Sequence, residues 1–196
     1  MLVVITIMAI IASVVITQID SVSHDQLLGT AQVVAADIAQ ARNLAVTNNS
    51  FYKITFDLAG NRYVLTHSGG NSALDVLPES AFHSTSGSTT QHVTDLSALP
   101  LGSSIVSLAV VESSNPLSEA KPKQVLDVEF GPLGETTRTS RTTIWLSAGA
   151  RNERKFMGID VDPITGLASI GTLQTTAPKS LAAENVDADA EPAAMP

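Results

Sequence analysis

The chain has 196 residues, of which 44% are hydrophobic, 4% aromatic and 15% charged, so it can form one domain of ordinary size with appendages. Its formal net charge is −8. An acidic chain gains no free energy by releasing counterions from phosphates, so nucleic acid is not an expected partner. The absence of cysteine excludes disulfides, thiolate metal sites and cysteine nucleophiles.

Residues 1–19 form an apolar run, and the first charged side chain is Asp20. A helix rises about 1.5 Å per residue, so this run would span roughly the 30 Å hydrocarbon core of a bilayer. A signal peptide would carry a basic leader, and a buried core helix is usually shorter. We therefore predict that residues 1–24 are the transmembrane part of a helix. The predicted membrane-anchor residues are Leu2, Val3, Val4, Ile5, Ile7, Ile10, Ile11, Val14, Val15 and Ile16.

The helical pattern continues after Asp20 but becomes one-sided, with apolar residues recurring at steps of three or four. Asp37, Gln40 and Asn43 lie off this stripe, and Asn48-Asn49-Ser50 is a stop signal. Residues 25–50 are therefore predicted to form an amphipathic stem, continuous with the anchor in one helix of roughly 70 Å. The predicted stem-packing residues are Leu27, Ala31, Val34, Ile38, Ala41 and Ala45.

From Phe51 onward the apolar period becomes two, which is typical of strands with one buried face. A first strand from Phe51, a turn at Ala59-Gly60-Asn61 and a returning strand over 62–67 predict a hairpin. Residues 68–104, rich in Ser, Gly and Thr, are predicted to be a long irregular excursion. Further strands are predicted over 105–112, 125–130, 142–146, 155–161 and 167–170, with turn signals at 131–134 and 162–166.

Residues 172–196 have no apolar pattern and end in an acidic, proline-containing stretch, so they are predicted to be a disordered acidic tail. The remaining elements run helix first and strands afterwards. This order predicts the α+β class, with a long N-terminal transmembrane and stem helix packed on an antiparallel β-sheet domain that spans residues 51–171.

Signatures of an enzyme are absent: there is no nucleophile elbow, phosphate-binding glycine loop, dinucleotide fingerprint or zinc-protease motif. The four histidines share no spacing suited to one metal, so we expect them at the surface or in loops. Asp160 and Asp162 could contribute to a calcium site, but their position before Pro163 favours a strand edge and a turn. We expect no catalytic residue, no cofactor, no metal and no small-molecule substrate.

Several segments together resemble one family. They are the apolar run 2–13, the stem segment 36–45, Ile54-Thr55-Phe56-Asp57 with Tyr63, the turn Phe130-Gly131-Pro132-Leu133-Gly134, and Thr165-Gly166. These residues are similar to the type IV pilin-like family, particularly its minor pseudopilin H and pilin T (GspH/FimT) branch. The resemblance covers about residues 1–171 and implies a pilin-like fold.

The resemblance implies a non-enzymatic structural subunit, a minor pseudopilin of a type II secretion-type pseudopilus. Its partners would be other pseudopilins or pilins, through lateral helix packing, and membrane lipid. It would be a single-pass protein of the cytoplasmic (inner) membrane with its C-terminal domain extracytoplasmic, in the periplasm.

The chain departs from the family in one region. The family's glycine cleavage site, its methylated first residue and its membrane glutamate are missing, and Met1 falls just past the glutamate's place. We expect a longer precursor with a short basic leader; the alternative is a degenerate copy that cannot be processed.

Two other functions stay open. A type IV pilus or DNA-uptake minor pilin would need an exposed basic face, for which Arg138, Arg141, Arg151 and Arg154 are the candidates, although their neighbourhood favours solvated hairpins. A membrane-anchored hydrolase or binding domain would need converging polar groups.

Overall fold

The computed structural model describes residues 2–78, 89–99, 105–118, 120–149 and 154–184, with side chains described between residues 24 and 181. A single helix, α1, runs from Leu2 to Thr47. The strands that follow in the described segments are β1 (Tyr52–Asp57), β2 (Arg62–His67), β3 (Gln91–Asp95), β4 (Val106–Ser114), β5 (Lys123–Gln124), β6 (Asp127–Phe130), β7 (Arg141–Ala148), β8 (Lys155–Val161) and β9 (Ala168–Gln174). A short helix, α2, spans Lys179–Glu184.

The strands form two antiparallel sheets, one ordered β3-β2-β1-β6 and the other β5-β4-β7-β8-β9. The second half of α1 packs against strands of both sheets, among them β1, β8 and β9. Apolar side chains of the helix and of both sheets form one continuous buried cluster. The predicted architecture, a long N-terminal helix packed on antiparallel sheet, is confirmed.

The first hairpin illustrates how the alternating pattern becomes a sheet. Tyr52, Ile54 and Phe56 are buried on one face of β1, and Phe56 lies opposite Tyr63 of β2. The turn between the strands uses Asn61 in the left-handed region, at φ 50°, a conformation that asparagine tolerates. The Asp57 carboxylate accepts a hydrogen bond from the Gly60 amide at 2.8 Å. This hydrogen bond holds the pKa of Asp57 below its usual value.

Strand β3 lies inside the stretch 68–104 that was predicted to be irregular, so that prediction is wrong there. The strand alternates, but its polar residues face inward: His92 and Thr94 are buried, whereas Val93 is partly exposed. Its pairing with β2 supplies the backbone partners. An inverted pattern of this kind does not read as a strand from hydropathy alone.

The C-terminal segment also differs from its prediction. Strand β9 continues to Gln174, Pro178 is buried, and α2 packs on β4. The predicted disordered tail therefore begins too early at residue 172. Residues 185–196 lie outside the described residues.

Deleting residues 175–196 is expected to lower the melting temperature by about 2–5 °C relative to deletion of 185–196 alone, because only the longer deletion removes Pro178 and α2 from the sheet. Thermal denaturation of the two truncated chains under the same conditions measures this difference. Identical melting curves would show that α2 adds nothing to stability.

Within the part of the chain whose side chains are described, no helix is both long enough and apolar enough to cross a bilayer. The segment predicted to do so, residues 1–24, lies almost wholly outside that part.

Candidate assembly interface

The predicted membrane-anchor residues, from Leu2 to Ile16, lie on helical backbone in the first half of α1. Their side chains lie outside the described residues. Helix α1 is continuous from this half into the stem, so whatever holds the first half also positions the folded domain.

The predicted stem-packing residues all lie in the core. Each is at most 1% exposed: Leu27, Ala31, Val34, Ile38, Ala41 and Ala45. The face that points away from both sheets is exposed and carries small and polar side chains, among them Gln32, Ala36, Ala39, Asn43 and Thr47. The stem therefore has one face committed to its own domain and one face open.

A groove with a volume of about 750 Å³ runs beside this open face. Ala36, Ala39 and Leu44 line it from the helix, and Val76 and Leu77 line it from the opposite wall. Its lining is mainly apolar, although Asn43 and the Tyr52 side chain also border it. The open face of the stem is thus bordered by a shallow groove.

The C-terminal end of α1 is closed by a Schellman motif. The Ser50 amide donates to the Ala45 carbonyl at 3.1 Å, and the Asn49 amide donates to the Val46 carbonyl at 3.3 Å. Asn49 takes the left-handed conformation that the motif requires, at φ 47°. The helix ends sharply at this point and feeds directly into β1.

Asp37 was predicted to lie off the buried stripe, but its side chain is only 6% exposed. Its carboxylate accepts a hydrogen bond from the Tyr63 hydroxyl at 2.6 Å and another from the Thr94 hydroxyl at 3.3 Å. Burial, followed by the nearby Asp37 charge, raises the pKa of Tyr63 well above its usual value. A polar contact inside the core therefore joins the stem to β2 and β3.

Arg42 joins the stem to two turns. Its Nε donates to the Thr165 carbonyl at 2.7 Å, and its guanidinium lies close to Gly134. The turn after β6 and the turn between β8 and β9 meet here, since the Thr136 amide donates to the Pro163 carbonyl at 2.9 Å. We call this meeting point of Arg42, residues 131–136 and residues 162–167 the turn junction.

Two glycines make the turn junction fit. Gly134 and Gly166 have φ of 85° and 63°, in the left-handed region that favours glycine. A Cβ on Gly166 would overlap the Gly134 carbonyl oxygen, and a Cβ on Gly134 would lie 3.0 Å from Arg42 Nε. Backbone hydrogen bonding from Thr165, together with its hydroxyl, keeps the pKa of Asp162 below its usual value and fixes the second turn.

Large apolar side chains at the turn junction are exposed. Leu133 is 87% exposed and Ile164 is 80% exposed, and Leu167 follows in the same turn region. Single exposed apolar side chains are common on protein surfaces. Here Leu133 and Ile164 come from two turns that are hydrogen-bonded to each other. The turn junction thus presents apolar surface in the turns that contact the stem through Arg42.

The arginines that a DNA-uptake pilin would need as a basic face are partly neutralised. Arg138 is ion-paired with Asp127, and Arg141 lies 3.8 Å from Asp160. Arg154 is exposed, and Arg151 lies outside the described residues.

Histidine placement differs from the surface or loop position expected. The His67 side chain is 1% exposed, and His92 is buried in β3. The His24 side chain is 43% exposed, and His83 lies outside the described residues. The contacts of His67 reach Ser50 and Asp75, residues that the sequence analysis did not connect.

No protein-family model and no curated protein matches this chain. Two crystal structures of the type IV minor pilin FimU from Pseudomonas aeruginosa strain PAO1, in different space groups, are similar to it. The first is 12% identical, with a TM-score of 0.46, and the match covers 79% of this chain and 99% of the FimU chain. The second is 13% identical, with a TM-score of 0.45, covering 81% of this chain and 96% of the FimU chain.

Proposed function

We propose that the chain is a structural subunit of a type IV pilin-like assembly, a membrane-anchored minor pseudopilin of the type II secretion kind. The observation that carries the proposal is the turn junction. Three of the segments that resemble the pilin-like family converge there: the stem segment through Arg42, the turn 130–134 and Thr165-Gly166. Segments that are far apart in sequence thus together attach the stem to the domain.

The proposed partners are sister subunits of the same assembly. The stem has an open face of small and polar residues beside the mainly apolar groove. Small side chains let neighbouring helices approach closely. The exposed Leu133 and Ile164 add apolar surface at the side of the domain nearest the stem. In this proposal residues 1–24 are held in the cytoplasmic membrane by lipid, and the domain lies on its periplasmic side.

A surface-pilus or DNA-uptake minor pilin is the second candidate, with the same fold in a different machine. It is disfavoured here because carboxylates accompany Arg138 and Arg141, which reduces the unbalanced positive charge at these two arginines. A gel shift with duplex DNA separates the two candidates: a shift that weakens steeply with salt would favour DNA uptake.

Ile11→Asp is expected to reduce co-assembly with sister subunits at least about tenfold. A charge at mid-membrane costs about 2.5–3.5 kcal/mol on insertion scales, and no oppositely charged residue is present in the apolar run. The measurement is the amount of the chain that co-purifies with the assembly when a null strain is complemented by the variant.

Leu117→Asp is the matched control, because Leu117 is 95% exposed in a loop and the substitution makes the same chemical change. It should co-assemble like the wild type. Normal co-assembly of the Ile11→Asp chain would contradict the proposal, since a helix that tolerates a charge there is not packed in lipid.

A further inference from the structure

Three side chains beyond the turn junction form a connected line of hydrogen bonds. Ser50 Oγ lies 2.7 Å from His67 Nε2, and His67 Nδ1 lies 2.7 Å from Asp75 Oδ1. An ionised carboxylate only accepts, so Nδ1 carries the proton toward Asp75. Nε2 of the neutral ring is then left to accept the Ser50 hydroxyl proton. This is the order of contacts in a nucleophile, a general base and an orienting acid.

Local structure holds each member in place. The Schellman motif fixes Ser50 through its amide, and His67 is the last residue of β2, paired with Tyr52. The His67 ring also packs edge-on against the Tyr52 ring at 5.0 Å. Asp75 closes a 3-10 turn over Ser72–Leu74 and donates its amide to the Ser72 carbonyl at 3.2 Å.

The amide of Phe51, which directly follows Ser50 in the chain, is a candidate to receive a developing negative charge. A Cβ placed on Gly69 would lie 2.8 Å from His67 Nε2 and 3.3 Å from the Phe51 nitrogen, and would overlap Ser50 Oγ. Only glycine lets the backbone approach so closely. Within the described chain the amides of Phe51 and Gly69 donate no hydrogen bond. An amide that directly follows the nucleophile is a recurrent oxyanion donor.

The group borders the surface at Asp75, whose side chain is 49% exposed, whereas the His67 side chain is 1% exposed. Ser50 is 8% exposed, Phe51 is partly exposed, and the position of a Cβ on Gly70 has no atom within 4 Å. Two carboxylates lie nearby: Asp75 itself, and Glu129, which accepts from the Ser68 hydroxyl at 2.7 Å and lies opposite Lys53 in the pairing of β1 with β6. The Asp75 carboxylate, which belongs to the hydrogen-bonded group, disfavours an anionic substrate and allows a neutral one.

We propose that Ser50, His67 and Asp75 form a hydrolytic site for uncharged carboxylic esters. This site goes beyond the structural role proposed above and does not rest on it. Ser50 Oγ attacks the ester carbonyl carbon while its proton passes to His67 Nε2. The carbonyl–alkoxy bond breaks and His67 returns the proton to the leaving alcohol. Water then attacks the acyl-serine with His67 again as base, so that ester and water give acid and alcohol and Ser50 is regenerated.

The test is covalent labelling of the full chain with an alkyl fluorophosphonate, in which the serine oxygen displaces fluoride at phosphorus. Peptide mass spectrometry is expected to place the adduct on Ser50 and not on Ser68. This measurement needs no variant, so it cannot be lost to misfolding.

Substitutions extend the test. His67→Gln should slow labelling and p-nitrophenyl acetate hydrolysis by roughly 10²–10⁴-fold, the usual contribution of a general base. Asp75→Asn keeps the shape of a half-exposed side chain but should slow both at least about tenfold, because it no longer fixes the ring tautomer. Ser68→Ala is the matched control and should label like the wild type.

An unlabelled Ser50 in the wild-type chain overturns the proposal, and the three side chains are then a hydrogen-bonded closure of the first hairpin only. Unchanged labelling in folded His67→Gln and Asp75→Asn chains, judged by their melting curves, overturns it equally.

Discussion

Gly166→Val is expected to lower the melting temperature by about 10 °C. A left-handed conformation costs a side chain with a Cβ roughly 1–2 kcal/mol, and the Cβ would also overlap the backbone oxygen of Gly134. That oxygen belongs to the other turn of the junction, where Gly134 lies beside the Arg42 side chain. For a domain of this size each kcal/mol corresponds to about 2–4 °C. Thermal denaturation followed by circular dichroism measures the shift.

Gly70→Ala is the matched control for this prediction. Gly70 does not have a left-handed φ, and an added Cβ there would meet no atom of the described residues within 4 Å. The control should melt within about 2 °C of the wild type, since surface substitutions usually change stability by less than about 0.5 kcal/mol. Equal melting of the two variants would mean that the turn junction does not constrain the stem.

Asp37→Ala is expected to reduce the free energy of unfolding by about 3 kcal/mol. The substitution removes a carboxylate that accepts from Tyr63 and Thr94, and leaves the buried Tyr63 hydroxyl without that partner. Hydrogen bonds to charged groups contribute about 1.5–3 kcal/mol, and an unsatisfied buried donor adds a desolvation cost. Urea denaturation of the variant and of the wild type gives the difference.

A double-mutant cycle separates the Asp37 contact from its surroundings. Tyr63→Phe alone should cost less than Asp37→Ala, because it removes a donor while Thr94 still donates to the carboxylate. The double variant should cost clearly less than the sum of the two single changes, with a coupling of about 1 kcal/mol or more. Strict additivity would show that the tyrosine hydroxyl and the carboxylate do not stabilise each other.

Much of the fold could be predicted because its elements follow simple periods. The stem residues Leu27 to Ala45 repeat at helical spacing, and β1 alternates through Tyr52, Ile54 and Phe56, so local pattern and burial agree. Strand β3 could not be predicted in this way, because the side chains it buries are His92 and Thr94. A polar side chain is usually buried only where it has a hydrogen-bond partner, and that partner cannot be identified from the local sequence.

The same limit applies to the contacts that matter most for function. Arg42 and Thr165 are 123 residues apart, and Asp37 and Tyr63 are 26 apart. The helical pattern correctly places Asp37 off the apolar stripe. It cannot predict that Asp37 is buried by its contact with Tyr63. Ser50, His67 and Asp75 come from a helix cap, a strand end and a 3-10 turn, elements whose mutual positions follow from the tertiary fold.

The attachment of α1 to both sheets has a mechanical consequence. A force applied to the N-terminal end of the helix would be shared between the two sheets, since Asp37 is held by β2 and β3 while Arg42 is held at the turns beside β6 and β8. The chain contains no cysteine, so no covalent crosslink carries any of that load. Tensile strength along the helix axis therefore depends on side-chain packing and hydrogen bonds. These contacts must break together before the stem can be pulled from its domain.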